Sequence, residues 1–368
     1  SCTGCNNNAC QSCYPPVRQL TYDSTMKNTF INSKETSKEK QPKNIKVQYL
    51  RAIAIMAVVL IHTCPSGSLQ VICRPFINFA VATFLFLSGY LTKSEIENRQ
   101  TFFKKRIVRV IIPYAIWTLL YTAASHIKNP AAIPVFTIKN LLTANAAAMM
   151  YYIFVYIQFV LLTPLLGKLA KSKYRWIGWC VAPISVMLKY YWVFCGVEPD
   201  PIVNLIWSDA CLGWFTFYYL GLVLGNKIIE RDYKLSKLFV IYIISIILQM
   251  LEGYVWLQYG QANCGTQIKL SSILTSSIFL LMAYTYIKGN SRQKETSEDC
   301  SLLLLIGNHS FGIYLCHIMF MRILSFVPYY REIPYVLNST IVLFISLAFV
   351  YYGNKLCGKR LSKYFGFV

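Results

Sequence analysis

The sequence predicts an all-α, polytopic integral membrane protein with about ten transmembrane helices. Three observations predict it. Of the 368 residues, 55% are hydrophobic and the mean hydropathy is +0.44, which is too apolar for a soluble domain of this length. The apolar residues gather into runs near 46–64, 73–92, 104–125, 147–169, 174–194, 210–228, 237–257, 269–287, 301–324 and 333–355. Each run is close to the ~20 residues that a helix needs to cross a bilayer. Lys and Arg outnumber Asp and Glu by 36 to 15, and they concentrate in alternate connections.

A net charge of +21 raises the question of a nucleic-acid partner. Here the excess is split into short clusters between apolar runs, so the bilayer is the expected partner and nucleic acid is not. The alternation starts with Lys27, Lys34, Lys38, Lys40, Lys43 and Lys46 before the first run. It returns at Lys93, Arg99, Lys104, Lys105 and Arg106, and again at Lys168, Lys171, Lys173 and Arg175. Lys227, Arg231, Lys234 and Lys237 follow, then Lys288, Arg292 and Lys294, and finally Lys355, Lys359, Arg360 and Lys363. The intervening loops are poorer in cations, with Arg74, Lys128, Lys139 and Arg331 as exceptions. Ten spans with this bias place both termini in the cytoplasm of a cell that carries the protein in its plasma membrane.

Residues 1–45 are polar and Lys-rich, the composition of a disordered cytoplasmic tail. Residues 1–25 read as an upstream extension, because Met26 opens Met-Lys-Asn-Thr-Phe like a native start. The tail has no apolar stretch of signal-peptide type. Cys2, Cys5, Cys10 and Cys13 form two CxxC pairs, a weak candidate for a metal site. Only four residues separate the pairs, whereas a zinc ribbon has about 15–20 there, so no metal is expected. Residues 46–355 form one transmembrane domain, and 356–368 read as a basic cytoplasmic tail.

The first run carries the leading functional candidates. Arg51 opens an apolar stretch that His62 closes, and nothing polar lies between them. Eleven residues at about 100° each bring His62 back to within about 20° of Arg51, roughly 16 Å further along the axis. Ionisable groups are costly against lipid and normally face a protein interior or a wet cavity. A structural polar pair tying this helix to its neighbours explains the same pattern. The third run opens with Arg106 and Arg109, an i, i+3 pair on one helical face. Two guanidinium forks so placed can grip a phosphate. Arginines at a helix end also simply snorkel to lipid headgroups.

These stretches resemble a known family. Arg51-x10-His62, then Phe84-Leu-Phe-Leu-Ser-Gly-Tyr90, then Arg106-x-x-Arg109 followed by Pro113 and Tyr114, resemble the signature of the membrane acyltransferase 3 family. The run from Tyr152 to Leu166 is similar too, although many relatives carry Trp where this chain has Tyr151 and Tyr152. So is Ser310-Phe-Gly-Ile-Tyr-Leu-Cys-His317 near the end. The resemblance covers about residues 46–355 and lacks the extracytoplasmic domain fused to some members.

The resemblance implies an O-acyltransferase that moves an acyl group, usually acetyl, from cytoplasmic acyl-CoA to a hydroxyl. The implied acceptors are carbohydrates of the cell surface or their lipid-linked precursors. It implies that His62 is the essential histidine, Arg51 its arginine partner, and Arg106 and Arg109 the pair that binds the CoA phosphates. An unperturbed imidazole has a pKa near 6.5, which suits a general base, and a transient acyl-histidine is the other route. Transfer of another acyl group such as succinyl, a small-metabolite acceptor, or a non-catalytic transporter on the same scaffold are the alternatives.

The remaining candidates are weaker. Ser88 and Glu252 are read as acceptor-side residues, with helix packing and interfacial placement as their bland alternatives. Glu198, Asp200 and Asp209 line a predicted outer loop. His309 and His317 share the ninth run and read as packing or hydrogen-bonding histidines, and His126 reads as interfacial. Cys64 and Cys73 bracket a short loop where a disulfide can form, and Cys195 can pair with Cys264 or Cys211. Unpaired buried thiols fit these five positions equally well, and Cys180 and Cys316 read as packing residues.

Overall fold

Inside lipid every backbone N–H and C=O must be satisfied within the segment, which for these apolar runs means helix. The computed structural model describes residues 44–197, 210–261, 264–289 and 301–367, and among them it contains helices and no strand. In chain order they are α1 Ile45–Thr63, α2 Ser68–Cys73, α3 Phe79–Tyr90, α4 Arg99–Ser125, α5 Ile133–Thr143, α6 Tyr151–Lys171 and α7 Ile177–Phe194. After them come α8 Phe215–Gly225, α9 Leu235–Gln258, α10 Leu270–Lys288, α11 Ser301–Asn308, α12 Ser310–Leu324 and α13 Tyr335–Phe365.

Eight segments are long and apolar enough to cross a membrane singly. Two of the ten predicted runs differ in kind. The run 301–324 is not one straight span, because α11 and α12 meet at 84°. Gly307 is the reason α11 can cross α1 so closely, since a Cβ there would fall 2.2 Å from the Gln48 carbonyl oxygen. The run 210–228 yields only a short apolar helix, Cys211–Gly225. The second run begins earlier than predicted, at Ser68, and bends through Arg74–Phe76, where Pro75 lacks the N–H that would continue α2. α5 was not predicted. It starts with Pro134 in its first turn and lies along α4, where Tyr114 Oη donates to the carbonyls of Asn140 and Leu141 at 3.0 Å.

Burial ranks the helices. The spans Ile45–Thr63 and Ser68–Tyr90 bury 56% and 61% of their central windows, against 22% for Ile177–Phe194 and 28% for Leu235–Gln258. So α1 and α3 form the centre and α7 and α9 the lipid-facing rim. On α9 the exposed side chains include Phe239, Val240, Ile243, Ile244, Ile247 and Leu251, as lipid contact requires. Lys46, in the first turn of α1, donates to the carbonyls of Tyr286 (3.1 Å) and Gly289 (2.6 Å) at the C-terminus of α10. A cation there meets the negative end of the helix dipole. This end of the bundle, which also carries the start of α4, is its basic end.

α3 and α8 pack backbone to backbone. A Cβ on Gly89 would sit 2.2 Å from the Tyr218 carbonyl oxygen, and one on Gly221 would sit 2.1 Å from that of Phe86. Backbone atoms cannot step aside, so Gly221→Ala is expected to cost about 1–3 kcal/mol. A drop in the thermal midpoint of the detergent-solubilised protein is the measurement, and an unchanged midpoint would contradict the close crossing.

The segment read from its charges as a basic tail has more structure than that. α13 breaks at Gly358, where φ is +65°, and the chain doubles back to Gly366. Trp117 Nε1 on α4 donates to the Phe365 carbonyl at 3.1 Å, and Phe367 is buried against Gly353. The last described residues therefore belong to the packed bundle.

Candidate active site

The α1 stripe turns inward. Arg51 is half-buried, and its electrostatic neighbours are Arg109 of α4 and Tyr152 and Tyr156 of α6. Near the other end of the helix, half-buried His62 faces His317 of α12 and Arg74 of the turn after α2. The structure thus joins Arg51 to one of the two α4 arginines and gives His62 a separate set of partners about three turns away.

Arg106 and Arg109 lie in the first turns of α4, which Asn98 caps by accepting from the Thr101 amide at 2.9 Å. Arg109 is exposed and Arg106 half-buried. The Arg106 guanidinium lies 5.0 Å from the centre of the Phe102 ring and makes a long, 3.5 Å contact to the Leu91 carbonyl. It borders a cleft of about 280 Å³ that Lys93, Glu95, Glu97, Asn98 and Phe102 also line. Glu95 does not neutralise the arginine. Lys171 binds its carboxylate, and that hydrogen bond holds Glu95 below the usual carboxylate range. Among the described residues the ion pairs are Lys171 with Glu95 and Lys288 with Asp232, both at the surface, so neither takes an arginine. Arg51 and Arg109, neither of them ion-paired among the described residues, repel one another, and an anion between them relieves that repulsion.

A line of polar side chains leads from these arginines to His62. Tyr152 lies beside Arg51, with Ser88 of α3 as a polar neighbour. Its ring centre is 5.6 Å from that of Tyr314, whose centre is 6.4 Å from that of His317. His317 in turn is 5.2 Å from His62. Tyr151 adds a further phenol next to Arg74. Ser88, an acceptor-side candidate on its sequence position, lies beside Tyr152. Sequence reasoning assigned no role to Tyr152, Tyr314 or Arg74. The sequence signals were that Tyr152 and Tyr314 lie within the family-like motifs and that Arg74 breaks the cation-poor pattern of its loop.

At the end away from Lys46, Glu252 of α9 is fully engaged. Tyr190 and the Ser271 hydroxyl both donate to its carboxylate, and the Ser271 amide donates at 3.0 Å. This ties α9 to α7 and to the first turn of α10, where a carboxylate also suits the helix dipole. Lys269, just before α10, is 1% exposed and donates to the Cys264 carbonyl at 2.7 Å. Burial lowers its pKa to about 8, against a smaller raising effect from Glu252. The folded value lies below the ordinary 10.5, so the folded state releases this proton first. Stability should therefore rise between pH 8 and 10.5, by about 3 kcal/mol in all, and fall away as pH drops through 8. Lys269→Met is expected to flatten that slope, as read from thermal midpoints across the range.

Cys64, Cys73, Cys180, Cys195, Cys211, Cys264, Cys316 and Cys357 are free thiols, so the pairings of Cys64 with Cys73 and of Cys195 with Cys264 or Cys211 are not formed. The Cys64 and Cys264 thiols instead contact the carbonyls of Pro65 (3.7 Å) and Gly67 (3.5 Å), and burial pushes the Cys64 thiol up. His126 stacks on Phe136 of α5, and His309 contacts the Phe367 carbonyl at 3.1 Å. Among the described residues no three His, Cys, Asp or Glu side chains are placed to hold a metal ion. Cys2, Cys5, Cys10 and Cys13, together with Glu198, Asp200 and Asp209, lie outside the described residues.

A helical bundle that crosses a membrane several times, with arginines and imidazoles along an inward-facing line, is the architecture of a polytopic membrane protein with a polar interior. The family model described as an acyltransferase domain matches residues 44–354, nearly all of the described chain. The protein belongs to the acyltransferase 3 family and is a multi-pass membrane acyltransferase. No curated protein and no solved structure matches it.

Proposed function

We propose that this acyltransferase takes an acyl group, acetyl by the habit of its family, from acyl-CoA at the basic end. The acceptor is a hydroxyl of a cell-surface glycan or of its lipid-linked precursor, met at the opposite face of the plasma membrane. The observation that carries the proposal is Arg51 beside Arg109, with Arg106 one turn earlier on α4, none of them ion-paired among the described residues, and a line of polar side chains from Arg51 to His62. The basic end is cytoplasmic on the positive-inside argument, so cytosolic acyl-CoA reaches the arginines directly.

In this reading Arg106 and Arg109 hold the CoA phosphates by charge-assisted hydrogen bonds. A cleft of about 280 Å³ suits the nucleotide head of the donor and leaves its thin arm to extend along Arg51 and Tyr152. His62 takes the proton of the acceptor hydroxyl, and the oxygen attacks the thioester carbonyl. The carbon–sulfur bond then breaks, and the CoA thiolate leaves with the proton that His62 returns. A route through acyl-His62 uses the same residue as nucleophile.

The test is mass spectrometry of surface glycans from cells with and without the protein. A gain of about 42 Da on individual sugars, the mass of acetyl replacing hydrogen, is expected only when the protein is present. Identical glycans in both strains, together with no transfer from labelled acetyl-CoA in isolated membranes, would overturn the glycan and acetyl assignments.

A further inference from the structure

His317 is fully buried in α12, yet its bonding is incomplete. Its Nδ1 lies 3.1 Å from the Ile313 carbonyl and 2.8 Å from the Tyr314 carbonyl. A carbonyl oxygen only accepts, so Nδ1 carries the hydrogen and Nε2 is left with a bare lone pair. Nε2 has no hydrogen-bond partner and no solvent access. A buried acceptor left unpaired costs about 1–3 kcal/mol, and Leu or Met would fill the same space without that cost. Packing alone therefore gives no reason for an imidazole here.

The neighbour that does give a reason is His62. The two ring centres are 5.2 Å apart with the planes at 50°. A hydrogen bond of about 3 Å between ring nitrogens, each about 1.1 Å from its own centre, spaces two imidazoles by about 5 Å. The rings already stand at the separation of such a bond, which forms when His62 turns an N–H toward Nε2 of His317. The remaining charged neighbour of His62 is Arg74, which has no lone pair to offer. Its Nε and Nη1 already donate to the carbonyls of Gly265 (3.2 Å) and Ile61 (2.9 Å).

We propose that His317 is a positioning residue whose Nε2 accepts a hydrogen bond from His62 and so fixes the tautomer of the reactive imidazole. The His62 nitrogen facing His317 then carries the hydrogen, and the other presents its lone pair to the acceptor hydroxyl. When that lone pair takes the hydroxyl proton, the imidazolium formed is held by His317 through the same hydrogen bond. Backbone carbonyls hold His317 itself, so its tautomer is set by α12 and cannot follow that of His62. This inference rests on the proposed role of His62.

Three variants of the full chain in membranes test it: His317→Leu, His317→Met and His317→Gln. The glutamine places an amide oxygen where Nε2 was and keeps the acceptor, whereas the other two keep volume and lose it. The apolar variants are expected to lower kcat about 10- to 100-fold while the KM for acyl-CoA stays within about twofold. His317→Gln should regain most of the lost kcat. Equal loss in all three variants, or full kcat in an apolar variant that inserts normally, overturns the proposal while leaving the role of His62 standing. A second readout needs no acyl transfer. The rate at which diethylpyrocarbonate modifies His62, followed by peptide mass spectrometry, should fall several-fold in an apolar variant and recover with glutamine. An unchanged rate overturns the proposal even if the acyl acceptor has been misassigned.

Discussion

Membranes carrying His62→Ala are expected to show no acyl transfer above background while holding as much inserted protein as the wild type. General-base catalysis by a positioned side chain contributes typically about 10²–10⁴ in rate. No other described histidine can replace it, because His317 is sealed from solvent and His309 and His126 are engaged elsewhere. Insertion should survive, since alanine is at least as apolar as imidazole and the α1 packing around Ala57, Val58 and Ile61 is untouched. The measurement is transfer of labelled acetyl from acetyl-CoA, normalised to membrane-resident protein by immunoblot. Retained transfer in His62→Ala would remove the chemical core of the proposed function. It would favour a transporter on the same scaffold.

The second large effect is on donor binding. Arg106→Ala combined with Arg109→Ala is expected to raise the KM for acyl-CoA at least about 100-fold, with the acceptor KM changed little. Each charge-assisted hydrogen bond to a phosphate is worth about 1.5–3 kcal/mol, or roughly tenfold or more in affinity. Arg106→Lys with Arg109→Lys should recover only part of the loss, because an ammonium keeps the charge and loses the bidentate fork. The donor dependence should also steepen with salt, since Arg109 is exposed and screened. A double alanine variant with an unchanged donor KM would show that these arginines serve lipid headgroups.

The expected phenotypes differ because the sites differ in environment. Loss of His62 removes a group set in the interior of the bundle, so the effect falls on kcat. Loss of the arginines removes contacts at the mouth of a cleft, so the effect falls on KM.

What the sequence determined by itself is what depends on local pattern and on the solvent. The helical class, the approximate positions of the spans and the bias of cations to one end all follow from the need to satisfy backbone groups in lipid and to keep charge out of it. The pairing of Arg51 with His62 on one stripe of α1 follows from helical geometry alone. The membership that residues 44–354 establish was legible in the same motifs. Tertiary structure decided what no periodicity encodes. It bent α11 against α12 by 84°, brought Gly307 against the Gln48 backbone, and folded the C-terminal residues back at Gly358. It engaged the Glu252 carboxylate between Tyr190 and Ser271. It also set His317 beside His62, although 255 positions separate them in the chain. A lone histidine on an apolar helix looks the same in sequence whether it packs or serves a partner. The distinction lies in which neighbour reaches its free nitrogen, and only the packing of α12 against α1 supplies that neighbour.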